Sequence, residues 1–264
     1  MHETHPAFAA LQPWLGSSVN TLTIDHLNAL VSARAEPPRT DSGAGIRFVA
    51  PAATRSAAAY ETGILNTGAV PTRPGSRHDA FNALCWIAFP RFKRAINALH
   101  AAQIARAGAA TATPRGPLRD ALTSLDESGV LVLCGEPVLG ELLSARQWSA
   151  LFCDRRAAVS RALRFLVCGH ALFEKLQQPY PTLTGRVLII PAPMAILEAD
   201  DVRQRCFADD SAAARLRAAF PWSRPRRCPS PVFRVGIRTM RRPGSTAMRR
   251  SSVHPTERPQ QAAR

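Results

Sequence analysis

The chain has 264 residues, of which 46% are hydrophobic and 6% aromatic, enough apolar content for a packed core filled mainly by Ala and Leu. Its formal net charge of +15 invites a nucleic-acid reading, yet eleven Arg against one Glu fall in residues 222–264, leaving residues 1–221 only mildly basic. The sequence offers no apolar run of the roughly 20 residues that a bilayer span needs; the best stretch, Val187 to Leu197, is broken by Pro191 and Pro193.

The N-terminus, Met-His-Glu-Thr-His-Pro, lacks the basic and apolar regions of a signal peptide. The six cysteines form no C-x-x-C pair, and Cys85, Cys134 and Cys168 sit among apolar neighbours. Free thiols in a reducing compartment are expected, so a cytoplasmic protein with no membrane partner is the reading.

In chain order, residues 6–16 and 22–34 read as short amphipathic helices, the second capped by Thr23. Residues 36–45 form a loop and 46–49 a short strand. Residues 68–76, with two prolines and two glycines, form another loop. A helix is expected from His78 to Phe89, ended by Pro90, and a second from Arg91 to Arg106. A linker of small residues follows at 108–116, then a helical turn at 120–125 and a tight turn at 126–129. Val130 to Cys134 is apolar and of strand length, as is 186–190. Residues 141–152 and 155–177 read as long helices. The fold class is α+β: one helix-dominated domain over residues 1–220, with a minor sheet and an Arg/Pro/Ser-rich, disordered tail over 221–264.

Helical spacing groups the polar residues. His78 and Asn82 are four apart, and Trp86 extends their stripe. Lys93, Asn97 and His100 share a second face. His170 and Glu174 make a third four-apart pair. If the stripes converge, two chemistries are open. In one, His170 and Glu174 bind a divalent metal, with His78, Asp79 or His100 completing the shell. In the other, a histidine is a general base held by Asp79 or Glu174, while Lys93 and Asn82 stabilise developing negative charge. Arg73 could anchor an anionic substrate, and Trp86 could face one. The bland alternatives are that Asp79 caps its helix, His100 complements a helix C-terminus, His170 is a core histidine, Trp86 is core, and Asp126-Glu127 is turn chemistry. The chain contains neither H-E-x-x-H, nor G-x-S-x-G, nor a Walker-type loop.

These residues carry a resemblance. Tyr60-Glu61, Gly68-x-Val70-Pro71-Thr72-Arg73, His78-Asp79-x-Phe81-Asn82-Ala83-Leu84-x-Trp86, Phe89-Pro90-Arg91-x-Lys93, Asn97 and Leu99-His100 are the main anchors. Asp120-x-Leu122-Thr123, Asp126-Glu127-x-Gly129-Val130, Trp148-x-x-Leu151-Phe152 and Gly169-His170-Ala171-Leu172-x-Glu174 follow. Together they resemble a bacterial family catalogued as domain of unknown function 3025, a likeness that brings no reaction with it. Shifting the reading frame from Val235 to His254 gives a string containing H-P-D-N and F-Y-x-D, which is similar to the end of that family. On that reading the basic tail is an artefact and nucleic acid is not a partner. The resulting expectation is a hydrolase-like pocket built from His78, Asp79, Asn82, Lys93, Asn97, His100, His170 and Glu174. The alternatives are a buried structural network, or nucleic-acid binding through the tail.

Overall fold

A computed structural model describes residues 5–16, 18–51, 56–107 and 116–219, together with the backbone of 233–236. Of the tail read over 221–264 only the backbone of 233–236 is described; its other residues, including those beyond Gly236 that were read in a shifted frame, lie outside the described residues.

After a 3-10 turn at Pro6–Phe8, the elements are α1 (Gln12–Leu15), α2 (Ile24–Ser32), β1 (Arg47–Val49), α3 (Ala57–Thr67), β2 (Ala69–Pro71), α4 (Arg77–Ala88) and α5 (Pro90–Ala107). Then come α6 (Pro117–Ser128), β3 (Gly129–Cys134), α7 (Pro137–Ser144), a π turn (Ala150–Asp154), α8 (Arg156–Ala162), β4 (Leu163–Val167) and α9 (His170–Leu176). The last are β5 (Thr184–Pro191), α10 (Met194–Leu197), α11 (Asp201–Ala219) and β6 (Phe233–Gly236). This is the helix-dominated α+β class expected.

β1 and β2 form a small parallel pair, and the main sheet has the order β4-β3-β5-β6. β3 runs parallel to β5 and antiparallel to β4, while β6 runs antiparallel to β5. Every residue of β3 is buried, as the central position in a covered sheet demands. The helices around α5 make the other half of the core: α5 packs on α3, α6 and α11, and α4 packs on α9. Phe8, Phe81 and Phe173 join the first turn to α4 and α9, with ring centroids 5.5–6.1 Å apart.

The caps explain several boundaries. Thr23 accepts from His26 N at 3.1 Å and opens α2 as expected. Ser76, not Asp79, caps α4, accepting from Asp79 N at 3.2 Å. The start of α5 is capped from outside its own segment. Asp209 of α11 accepts from Arg91 N at 3.1 Å and Phe92 N at 2.8 Å, filling two of the donors that a helix start leaves unpaired.

Three expectations are corrected. The helix read over 155–177 is interrupted by β4, because Leu163-Arg164-Phe165-Leu166-Val167 pairs along β3 and Gly169 ends the run. The helix read over 141–152 stops at Ser144, and a π turn follows. Of the turn read at 126–129, residues 126–128 close α6, which is longer than the 120–125 expected, and Gly129 opens β3. Helices α3 and α11 and strand β2 went unread.

Candidate functional site

The site forms where α3, α4, α5, α6 and α9 meet, and a backbone crossing sets its geometry. Gly129 O accepts from both Cys168 N and Gly169 N at 3.0 Å. A Cβ on Gly169 would lie 2.2 Å from Gly129 N and 2.6 Å from Glu127 O, so only glycine allows the approach. The crossing brings the first residue of α9, His170, onto the last turn of α6. There His170 Nδ1 donates to the Asp126 carbonyl oxygen at 2.8 Å, one of the carbonyls that a helix end leaves free.

A chain of polar contacts starts from His170. Its Nε2 lies 3.2 Å from His78 Nε2, with the rings edge-on at an interplanar angle of 79°. His78 Nδ1 is in turn 3.1 Å from Glu174 Oε2. The His78 and Glu174 side chains are 38% and 37% exposed, whereas the His170 side chain is only 8% exposed, so the chain runs from the surface inward. Burial lowers the His170 imidazole to about 4; Asp126 opposes the shift, while Lys93 and His78 add to it.

The inner half of the site centres on Lys93. Its ammonium donates to Asn82 Oδ1 at 2.8 Å and Asp126 Oδ1 at 2.5 Å, and it lies 5.5 Å from the centroid of the Trp86 ring. Asn82 Nδ2 donates to Tyr60 Oη at 3.2 Å. Burial pushes the Tyr60 phenol far above its ordinary range. Burial would also raise Asp126, but Lys93 and His170 outweigh it, and the carboxyl sits below its usual value. Asn97 Nδ2 donates to the Glu61 backbone oxygen at 2.9 Å and to Glu61 Oε2 at 2.7 Å, pinning α3 to α5. Glu61 is pushed up to about 7, burial outweighing its bond to Asn97. His100 is buried and close enough to Asp126 for its charge to be felt there.

The structure therefore brings His78, Asn82, Lys93, His170 and Glu174 into one connected set, with Asn97 and His100 beside it. It moves others out. Asp79 receives both Arg73 Nε at 2.8 Å and Arg73 Nη2 at 2.9 Å, along with the Arg73 backbone N–H, so it orders the loop before α4 instead of holding a histidine. Glu174 has that role. Trp86 is 2% exposed and presents no face to a substrate. Lys93 is buried with both partners in place, so it holds Asp126 and is not a free cation for a reacting oxygen. Among the described residues, no group of three or more His, Cys, Asp or Glu side chains is placed to hold a metal ion. His170 and Glu174 meet different nitrogens of His78 and do not face one point.

Asp126, Tyr60 and Glu61 were not among the expected site residues. Their signal was present, since all three stand among the family anchors, but Asp126 was read as a turn because Ser128-Gly129 follows it.

The family model described as "Protein of unknown function (DUF3025)" matches residues 46–243. The chain belongs to this family. The match spans the whole site and continues in the given frame past Phe220, where the composition changes. No curated protein and no solved structure matches the chain. Among the described residues, no helix is long and apolar enough to cross a membrane.

Proposed function

We propose that this member of the family is a hydrolase-like enzyme whose acid–base centre is His78, oriented by Glu174 and backed by His170. The observation that carries the reading is the Glu174–His78–His170 chain, in which titratable groups of unlike environment meet at a partly open edge. His78 Nε2, which faces His170, would take a proton from a water or hydroxyl entering beside the two rings, and Glu174 would stabilise the imidazolium so formed. Arg73, 64% exposed, lies near enough to Glu174 to feel its charge and would hold an anionic group of the substrate at the same mouth. The described cysteines are free thiols, which supports a cytoplasmic enzyme.

The structural-network reading has its own support in the inner half, where Lys93, Asn82 and Asp126 satisfy one another. That network is not closed. Asn97 Oδ1 and Arg119 Nε are buried and have no hydrogen-bond partner among the described residues, which a purely structural core seldom tolerates. Nucleic-acid binding through residues 222–264 stays a separate proposal, tested by whether salt-dependent DNA binding disappears with the tail.

The test is turnover by the full chain against a panel of carboxylic esters, phosphoric esters and amides. His78→Ala should fold, because the side chain is half-exposed, and should lose activity by roughly 100-fold or more. No turnover on any panel member, or equal turnover in His78→Ala, would sink the reading.

A further inference from the structure

The contact between the two imidazoles poses a protonation conflict. His170 Nδ1 is 2.8 Å from a backbone carbonyl, which can only accept, so that nitrogen carries a proton. His78 Nδ1 is 3.1 Å from the Glu174 carboxylate and is likewise the donor. A neutral imidazole has one N–H, and in each ring it is already spent. The two Nε2 atoms then face each other at 3.2 Å as lone pairs. Such an arrangement repels unless something positive lies between them.

We propose that His78 and His170 bind one first-row divalent transition-metal ion through their Nε2 atoms. The 3.2 Å separation matches two nitrogens on a tetrahedral ion, which at about 2.0–2.1 Å each from the metal lie about 3.3 Å apart. Metal-bound histidines commonly donate their other N–H to a carboxylate or a backbone carbonyl, and here Glu174 and the Asp126 carbonyl provide one of each. Both ligands also sit on fixed elements: His78 in the capped first turn of α4, and His170 at the Gly129–Gly169 crossing. The Glu174 and Asp126 carboxylates offset the added charge, Asp126 already being shared with Lys93.

Two protein ligands are one fewer than the three usual at a catalytic ion, and among the described residues no third is placed, so the remaining positions are open to water and a substrate oxygen. Glu174 is thus the group that orients His78, not a ligand. The inference rests on the site assigned above and deepens it: with the ion bound, His78 Nε2 is a ligand, and the base is a water held by the ion instead of His78 itself.

The test is titration of chelator-stripped full chain with Co²⁺ or Zn²⁺ alone, read by calorimetry and by the visible spectrum of cobalt. One equivalent is expected. Affinity should fall at least 100-fold in His78→Ala and 10- to 100-fold in Glu174→Gln, the usual cost of losing an orienting partner. Should His170→Gln not fold, the half-exposed His78 still provides the decisive variant. Failure to bind a stoichiometric ion would overturn the site, leaving a shared proton to settle the conflict. Binding that survives His78→Ala would overturn it too, placing the ion at another histidine or at the exposed Cys153 or Cys206. Stoichiometric binding without turnover on the panel would sink the enzyme reading alone, and turnover undiminished in stripped protein would sink the metal alone.

Discussion

Lys93→Met separates the inner half of the site from the outer half. Lys93 is 4% exposed and its ammonium is 2.5 Å from Asp126 Oδ1, so deleting the charge leaves a partly buried carboxylate without its cationic partner. Breaking one side of such a pair costs roughly 3–5 kcal/mol. The cost must depend on pH. The folded Asp126 carboxyl lies below its unfolded value of 3.8, so its contribution is present above that value and lost as pH falls through the lower, folded one. In Lys93→Met the depressing partner is gone, and the variant should recover part of its deficit as acid neutralises Asp126. The assay is urea unfolding of wild type, Lys93→Met, Asp126→Asn and the double variant at neutral and mildly acidic pH. The double variant should be destabilised by clearly less than the sum of the singles, with a coupling on the order of 1–3 kcal/mol. A single-variant cost under about 1 kcal/mol, or additive effects within about 0.5 kcal/mol, would refute the claim that this pair holds α4, α5 and α6 together.

Other outcomes follow from the same geometry. Gly169→Ala should destabilise by more than about 3 kcal/mol, because backbone atoms lie 2.2 Å and 2.6 Å from the new Cβ; a thermal scan that finds it neutral would mean the crossing is looser than described. Glu61→Gln should gain on wild type by about 3 kcal/mol as pH rises from 4.5 to 7, since a raised carboxyl gives stability that is full below 4.5 and lost on rising through about 7. In metal-free protein, His170 works in the opposite sense: its contribution is full above 6.5 and lost as pH falls to about 4, so a His170→Asn variant should close on wild type over that acid range in unfolding titrations. Asp209→Ala should cost about 1–2 kcal/mol by uncapping α5, measurable by chemical denaturation without loss of any site contact.

The parts of the fold that were legible in the sequence are those where one period dominates. β3 and β5 are apolar runs of strand length, and α4 and α5 carry polar stripes at 3.6-residue spacing broken by Pro90. The segment 155–177 was misread because Leu163, Leu166, Val167 and Phe173 also fit a helical face, and a short apolar run has the same look in either structure. Only the long-range pairing of β4 with β3 decides it. Helix α11 carries its apolar face largely on alanines, Ala208, Ala212 and Ala213, which give little hydropathy contrast. For the site, spacing alone predicted which residues share a face but could not assign partners. Spacing offered both Asp79 and Glu174 as the carboxylate that holds a histidine, and the outcome turned on Arg73, six residues before Asp79, which occupies that carboxylate.

Burial divides the labour within the cluster. Lys93, Asn82 and Asn97 lie where water is excluded, and each spends its donors on a neighbouring helix, so their chemistry goes into fixing α3, α4, α5 and α6 relative to one another. His78 and Glu174 are more than a third exposed, and an exposed ion pair contributes little to stability. A pair at the surface that contributes little to the fold, yet is aimed at a buried histidine by a glycine crossing that tolerates no side chain, is built at a cost that stability does not explain. That asymmetry, more than any single distance, is what supports the proposal of His78 as the reactive end of the molecule. The inner network is then the frame that keeps His170 from turning away: Lys93 fixes Asp126, and the Asp126 carbonyl fixes the ring.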